Sequence, residues 1–341
     1  MNKKLIIAIL FLAVAAVIII VFKQQAASNN RKSQEVSQKE LPKFKLSVNS
    51  WVGFGPFWLA KEKNFFEGEG VDVEISTIED TAQRKSAMIK GDIDGLGDTV
   101  DLLVMERDEK VPAVAVMQID LSSGADGILV TDDIKSVKDL KGKKIAVQRN
   151  FVSESFLNYV LKKNGLLPND VQAVDTEAGA AGAAFVSGSV NAAVTFEPWL
   201  SKAKERKGGK VLVSSADEPG VVVDILSINE NYLINNQNTV KKVMKAWFKA
   251  LDYWKNNQKE ANQIMAAHYN SSETEFADLI SGLSWPSYQE NISYFGTETS
   301  PGKIYEVANI FSDIFKGTNQ IKAAPDMKKA IDNNLLKTLF Q

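Results

Sequence analysis

Two stretches decide the fold: KLSVNSWVGFGPFWLAKEKNFFEGEGVDVEI, residues 45–75, and KIAVQRNFVSESFLNYVLKKNGLLPNDVQAV, residues 144–174. Each opens on a short strand pattern, Lys45 to Val48 and Lys144 to Val147. In the first, a Gly/aromatic loop from Asn49 to Pro56 leads into a helix over Phe57 to Phe66, and Val71-Asp72-Val73-Glu74-Ile75 alternates as a second strand. In the second, a polar loop leads into a helix from Ser153 to Asn164, ended by Gly165 and followed by the strand Val171 to Val174. Val48 falls on Val147 and Phe57 on Phe156 at one common offset. The next units match too: Gly91-Asp92-Ile93-Asp94-Gly95-Leu96 and Gly188-Ser189-Val190-Asn191-Ala192-Ala193 each join a helix to a short strand. This shared register points to two similar α/β lobes, since unrelated strand–helix units have no reason to keep it.

Outward from the repeat, Gly220 to Leu226 reads as a strand, and from Glu230 the chain is mainly helical. The clearest helix there, Asn238 to Asn257, carries Val240, Val243, Met244, Trp247, Leu251 and Trp254 at helical spacing, which places both tryptophans in the core. Right-handed crossovers imply a parallel sheet in each lobe, and open parallel sheets take ligands beyond the carboxyl ends of their strands. Four loops qualify: Ser50 to Gly55, Gly97 to Thr99, Arg149 to Ser155, and Thr195 to Trp199. The expected organisation is an α/β protein of two doubly wound lobes: lobe 1 from residues 42–126 and 221–341 with a helical C-terminal portion, lobe 2 from residues 127–220. The chain's return near Gly220 supplies the second strand of a hinge, so that the loops line a cleft between the lobes.

The first 23 residues belong to another category. Leu5 to Phe22 is an unbroken apolar run of eighteen residues. As a helix it spans ~27 Å, against a hydrocarbon core of ~30 Å. Lys3 and Lys4 favour a cytoplasmic start, which places the remainder outside the cytoplasm, in the periplasm or on the extracellular face. Two outcomes stay open, an uncleaved anchor or a signal cut near Ala26-Ala27-Ser28. Residues 24–41 are polar and aperiodic, a stalk with a reach of roughly 23 Å.

Composition removes whole classes of chemistry. Among 341 residues there is no cysteine and one histidine, which excludes disulfides, zinc-thiolate and iron–sulfur sites, cysteine nucleophiles and a lipidated N-terminus. The chain holds 40 basic and 42 acidic residues; three lysines and no acid precede Asn30, leaving 37 bases against 42 acids beyond it, a balance unsuited to nucleic acid. Gly53-Phe54-Gly55 lacks the third glycine of a dinucleotide fingerprint, because position 58 is Trp58. No P-loop occurs, the acids show no close metal-ligand spacing, and no cofactor is expected. His268 falls near the end of a C-terminal helix, away from the loops, which argues against a serine–histidine triad.

The loop residues have two readings each. Ser153, followed by Glu154 and Ser155, fits a helix N-cap, and that helix start, like Gly55-Pro56, could also offer N–H donors to an anion. Asp98 reads more readily as a cap than as a ligand group. Glu197 in Phe196-Glu197-Pro198-Trp199 is the better candidate, with Pro198 at the first helical position and Trp199 as a flat wall. Asp224 adds an acid by the hinge. Phe57 and Trp58 read as packing, while Trp51, in a glycine-rich stretch, is free to meet a ligand. Donors for an anion beside carboxylates for an ammonium suit a small zwitterion or a planar polar molecule.

At these loops the chain resembles the periplasmic substrate-binding components of ABC importers in the nitrate/taurine/aliphatic-sulfonate group. The resemblance rests on Trp51-Val52-Gly53-Phe54-Gly55-Pro56 with Leu59-Ala60-Lys61, on Gly91-Asp92-Ile93-Asp94 leading to Gly97-Asp98-Thr99, on Lys135 to Lys144, and on Phe196-Glu197-Pro198-Trp199. It covers nearly everything after the stalk. It implies a type II periplasmic-binding-protein fold that closes on a taurine- or sulfonate-like solute as a monomer and delivers it to a membrane permease and its ATPase. It further implies a solute pocket at Trp51, Gly53, Asp98, Thr99, Ser153, Ser155, Glu197 and Trp199, with Asp224, Ser122 and Ser123 added. The chain departs from the group in its long apolar N-terminus without a lipidation cysteine. Two other functions compete: a membrane-tethered solute sensor, and an enzyme like the pyrimidine-precursor synthases of this fold, which use a reactive histidine and a cysteine-rich stretch, whereas this chain has no cysteine and its histidine lies outside the loops.

Overall fold

The computed structural model describes residues 40–297 and 299–341. The apolar run Leu5 to Phe22 and the stalk up to Lys39 lie outside them; among the described residues no helix is long and apolar enough to cross a membrane.

The first sheet begins with β1 (Lys43–Val48), which buries Phe44 and Leu46 while Lys43 and Lys45 point to solvent. Helix α1 (Gly55–Glu62) follows, then α2 (Phe65–Glu69). The continuous helix expected over Phe57 to Phe66 is broken because Asn64 adopts a left-handed conformation, φ 55°, between the two. Strand β2 (Asp72–Thr77) pairs parallel with β1, and α3 (Thr81–Lys90) opens on Asp80, whose carboxylate accepts from the Gln83 amide. Then come β3 (Gly95–Thr99), α4 (Val100–Asp108) and β4 (Ala113–Ser122).

The second sheet repeats this plan: β5 (Asp126–Thr131), β6 (Lys144–Val147), α5 (Val152–Lys163), β7 (Gln172–Asp175), α6 (Ala178–Val186), β8 (Ala192–Phe196), α7 (Trp199–Lys202) and β9 (Gly209–Ser214). The chain then returns through β10 (Val223–Asn229). The helical remainder is α8 (Glu230–Asn256), α9 (Gln258–Ala267), α10 (Glu273–Ile280), α11 (Tyr288–Phe295), α12 (Lys303–Gly317), α13 (Met327–Ala330) and α14 (Asn334–Lys337), with a two-residue strand β11 (Leu283–Ser284) between α10 and α11.

Strand order is β11-β4-β10-β3-β1-β2 in the first sheet and β7-β6-β8-β5-β9 in the second. Both sheets are mixed, not parallel as the crossovers alone suggest. Strands β1, β2 and β3 are parallel, and so are β6, β7 and β8; β10 runs antiparallel to β3 and β4, and β5 antiparallel to β8 and β9. The reason is the hinge. A strand arriving from the other lobe enters at the carboxyl ends of the parallel strands and must run back along them. Thus Asp224, near the start of β10, sits opposite Thr99 at the end of β3, and Asp126, at the start of β5, sits opposite Phe196 at the end of β8.

Trp247 of α8 is fully buried against Phe57, ring centroids 4.4 Å apart. Trp254 is only half-buried: it meets Trp285 edge-on at 4.8 Å, and its indole N–H donates to Asn262 at 2.9 Å.

Two crossings join the sheets, Ser122 to Asp126 and Ser214 to Val223. They are tied to each other. The Ser122 and Ser215 hydroxyls lie 2.7 Å apart, the Gly124 amide donates to Ser215 Oγ at 2.7 Å, and the Ser215 amide donates to the Asp126 carbonyl at 2.8 Å. Ser215 is fully buried, so its hydroxyl holds the partly buried Gly124 amide from the inner side. Ser215→Ala is expected to lower unfolding free energy by ~1–3 kcal/mol through the orphaned Gly124 N–H, with secondary structure unchanged; denaturant titration followed by circular dichroism measures it.

Candidate functional site

A partly enclosed cavity of about 40 Å³ lies where the two sheets face each other across the hinge. All four loops at the parallel strand ends reach it, through Trp51, Asp98, Phe151 and Phe196 among others, and both hinge crossings add an acid, Asp126 and Asp224. It adjoins a groove of about 950 Å³ that shares Asn49, Ser50, Glu79, Glu177 and Phe196 with it. A water occupies ~10–15 Å³ on this measure, so the inner space fits only a few.

Trp51 is held rather than free. Its indole N–H donates to Asp120 Oδ2 at 3.0 Å, its amide donates to Asn49 Oδ1 at 2.9 Å, and its carbonyl accepts from the Tyr269 hydroxyl at 3.0 Å. Its ring meets Phe196 of the second lobe edge-on, centroids 5.9 Å apart. Gly53 packs directly beneath: a methyl group there would overlap both the Asp120 carboxylate and the Trp51 indole nitrogen. The Gly53 carbonyl accepts from the Trp285 indole at 2.8 Å.

Asp98 does not cap a helix. Thr99 is the residue before α4, and Asp98 is instead buried, 3% exposed, with neither carboxylate oxygen hydrogen-bonded in good geometry. Burial raises its pKa, partly opposed by the charge of Arg84. Arg84 is itself 2% exposed and donates through Nη1 to the Gly97 carbonyl at 2.8 Å. Glu106, on α4, is pushed well above the usual carboxylate range by burial and by Asp98.

A second group of acids lies at the crossings. Asp120 and Asp224 are cross-strand partners on β4 and β10, and Asp126 opens β5. Burial pushes Asp120 up to about 7, against the stabilising hydrogen bonds from Trp51 and Asp224, and pushes Asp126 up to about 7, against its bond with Ser122. Asp101, in the first turn of α4, rises to about 6 by burial, while Ser155 and Thr99 hydrogen-bond its carboxylate. Asp224 stands well above its ordinary value through burial and the charge of Asp120. Two like charges this close do not both ionise readily, so the Asp120–Asp224 pair shares a proton.

Of the residues expected from sequence, the structure brings Trp51, Asp98, Thr99 and Asp224 onto one cavity wall, with Gly53 behind them. Ser122 and Ser123 belong to the hinge; Ser123 is exposed, and its amide donates to Gly282 O at 2.7 Å. Ser153 is not the N-cap of α5, which begins one residue earlier after Phe151; its hydroxyl donates to the Gln148 carbonyl at 3.3 Å. Ser155 Oγ faces Asp101 across the lobes. Glu197, two residues before α7, accepts from the Ser201 amide at 3.0 Å and hydroxyl at 2.8 Å, and lines the outer groove with Trp199. Pro198 precedes α7 rather than opening it, and Trp199 lies over Gly182 of α6. His268 is nearer the loops than its sequence position suggests: it stacks on Trp58 at 4.4 Å, bonds Glu62 at 3.2 Å and lines the same groove.

The residues that sequence reasoning missed are Asp126, Asp120, Asp101 and Arg84. Asp126 begins a hydrophobic strand and carries no motif; its place at the mouth of the crossing was the available signal. Arg84 sits on an ordinary polar helix and gave none.

Two similar α/β lobes, joined by paired crossings over a cleft lined from both sides, define the periplasmic-binding-protein fold. The chain belongs to the NMT1/THI5-like family, whose pattern matches residues 51–261. It is 25% identical over 266 residues to a protein of Bacillus subtilis (strain 168) whose name assigns it binding only provisionally, an alignment covering 75% of this chain and 78% of the relative. The periplasmic aliphatic sulphonate binding protein SsuA from Escherichia coli superposes with a TM-score of 0.70 at 20% identity, over 87% of this chain and 99% of that one. The alkanesulfonate-binding protein SsuA from Xanthomonas axonopodis pv. citri, bound to MOPS, gives 0.69 at 18% identity, over 85% and 98%. The periplasmic nitrate-binding protein NrtA from Synechocystis PCC 6803 gives 0.66 at 15%, over 88% of each.

Two predictions follow from the packing and charge of the cavity wall. Gly53→Ala is expected to displace Asp120 and loosen Trp51, seen as a red-shifted tryptophan emission and a loss of ~2–3 kcal/mol in denaturant unfolding. The second concerns pH. Carboxyls whose folded pKa is raised stabilise the fold fully below their unfolded value near 4, and this contribution is lost as pH rises through about 6 to 7. Stability and melting temperature are therefore expected to fall from pH 5.5 to pH 8, by ~2 kcal/mol for each of Asp120 and Asp126 and by less for Asp101, and Asp126→Asn should flatten the slope.

Proposed function

We propose that this protein is the extracytoplasmic solute-binding subunit of an ABC importer, closing its two lobes on a small polar or zwitterionic solute and handing it to a membrane permease driven by ATPase subunits. The observation that carries the reading is the composition of the cavity wall: Trp51 and Asp98 from the first lobe, Phe151 and Phe196 from the second, and Asp126 and Asp224 from the hinge crossings. A ligand touching all of these gains contacts only when the lobes are closed, and that difference in affinity between open and closed forms is what drives closure.

Side chains of the two lobes meet across the cleft. Trp51 meets Phe196, Asp101 meets Ser155, and the Gln320 amide donates to Glu154 at 3.1 Å. The names of relatives, which include aliphatic sulphonate and nitrate binders, support transport of a small polar solute, with taurine- and sulfonate-like compounds the starting set. Their periplasmic setting supports a location outside the cytoplasm, and Leu5 to Phe22 supplies the means of targeting or anchoring.

The test is small-angle scattering with a solute library. A bound solute is expected to reduce the radius of gyration and leave the library compound chemically intact, while Trp51→Ala, which removes the aromatic wall and frees Asp120, is expected to weaken binding at least ~10-fold. Turnover of a compound into product, or curves that do not change with any solute, would overturn the reading.

A further inference from the structure

The charges around the cavity do not balance, and the imbalance has a sign. On the wall stand Asp98, Asp126 and Asp224, each at least nine-tenths buried, with Glu79 and Glu177 at the mouth. Asp126 has Oδ2 without a hydrogen-bond partner. Behind them, Asp120 on β4 and Asp101 and Glu106 on α4 add three further buried acids, and Glu197 acts on Asp126 from the loop after β8.

The opposing bases are Arg84 and Lys85, both on α3. Lys85 is already engaged with Glu109 at 2.9 Å, and Arg84 faces Asp98 and Glu106. Proton sharing quiets the Asp120–Asp224 and Asp98–Glu106 pairs, yet among the described residues Asp126 and Asp101 are left with no basic partner. A buried carboxylate without a counter-charge is costly, and its field in a dry cleft attracts a cation. The walls suit an organic cation: Trp51, Phe54, Phe151 and Phe196 present ring surface to the same space.

We propose that the solute carries a protonated nitrogen, an ammonium or amidinium group seated between Asp126 and Asp224, with a flat or apolar body against Trp51 and Phe196. This rests on the reading of the cleft as the solute site and narrows its ligand to an organic cation or to a zwitterion bound through its nitrogen. Seating the cation favours the ionised carboxylates, so binding releases protons near pH 6 and tightens toward pH 8.

The experiment compares matched compounds at fixed ionic strength: ethanesulfonate with taurine, and benzoate and benzyl alcohol with benzylamine. Thermal shift and calorimetry are run at pH 6 and pH 8, the calorimetry in two buffers of different ionisation heat. Nitrogen-bearing members are expected to raise the melting point and to bind at least ~10-fold tighter than their nitrogen-free counterparts, with proton release at pH 6. Asp126→Asn and Asp224→Asn should each weaken amine binding at least ~10-fold while circular dichroism stays unchanged, and Asp126→Asn should raise the ligand-free melting point at pH 8 by removing uncompensated charge.

Equal or tighter binding of ethanesulfonate, amine binding unaffected by the Asn substitutions, or no amine raising the melting point above the sodium-salt control would each overturn the proposal. Scattering separates this failure from that of the wider reading: compaction with ethanesulfonate alone keeps the clasp and removes the cation, whereas compaction with no compound removes both.

Discussion

The bond network around the Ser215 hydroxyl is the constraint on which the rest of the molecule depends. One buried oxygen faces Ser122 on the outgoing crossing and accepts from Gly124, so the two chain segments that join the sheets behave as a single ribbon. Because both crossings arrive at the carboxyl ends of parallel strands, the strands they become, β5 and β10, must run antiparallel to the neighbours they join. Hinge, mixed sheet and cleft are one arrangement seen at three scales.

That arrangement has an electrostatic consequence. Placing Asp126 at the start of β5, Asp224 at the start of β10 and Asp120 on β4 brings acids from separate parts of the chain within reach of one another, away from water. A folded protein optimised only for stability would replace such a cluster with apolar side chains, since buried charges that lack partners destabilise. Their presence beside a cavity, under a tryptophan held in place from its indole, amide and carbonyl, is the pattern of a site where stability is given up for recognition. The same trade explains Gly53: no larger residue leaves room for Asp120 to reach the indole.

Comparison of the two lobes shows which parts of the repeat are structural and which are particular. Val48 and Val147 end corresponding strands, and Phe57 and Phe156 are buried in corresponding helices, as the shared register predicts. The loops that follow those strands diverge. In the first lobe the loop carries Trp51, bonded down to Asp120; in the second it carries Phe151 ahead of α5, with Glu154 turned away from the cavity to meet Asn150, Arg149 and Gln320. One side of the cleft is fixed and polar underneath, and the other is apolar and latched at its edge.

The sequence by itself determined the two-lobed α/β plan and the four loops that meet at the cleft, because hydrophobic period and turn chemistry are local properties that survive in a linear string. It failed where the answer depended on what stands opposite. Glu197 looked like a ligand group because its loop is distinctive, yet its carboxylate is taken by Ser201 four residues on. Asp126, Asp120 and Arg84 looked ordinary because their neighbours in sequence are ordinary; they acquire meaning from strand pairing and from helices distant in sequence. The antiparallel insertion of β5 and β10, the shared protons of the acid cluster and the sign of the cavity's charge were decided only by the tertiary structure. Direction, desolvation and Coulomb energy are set by distances between residues that the chain order keeps far apart.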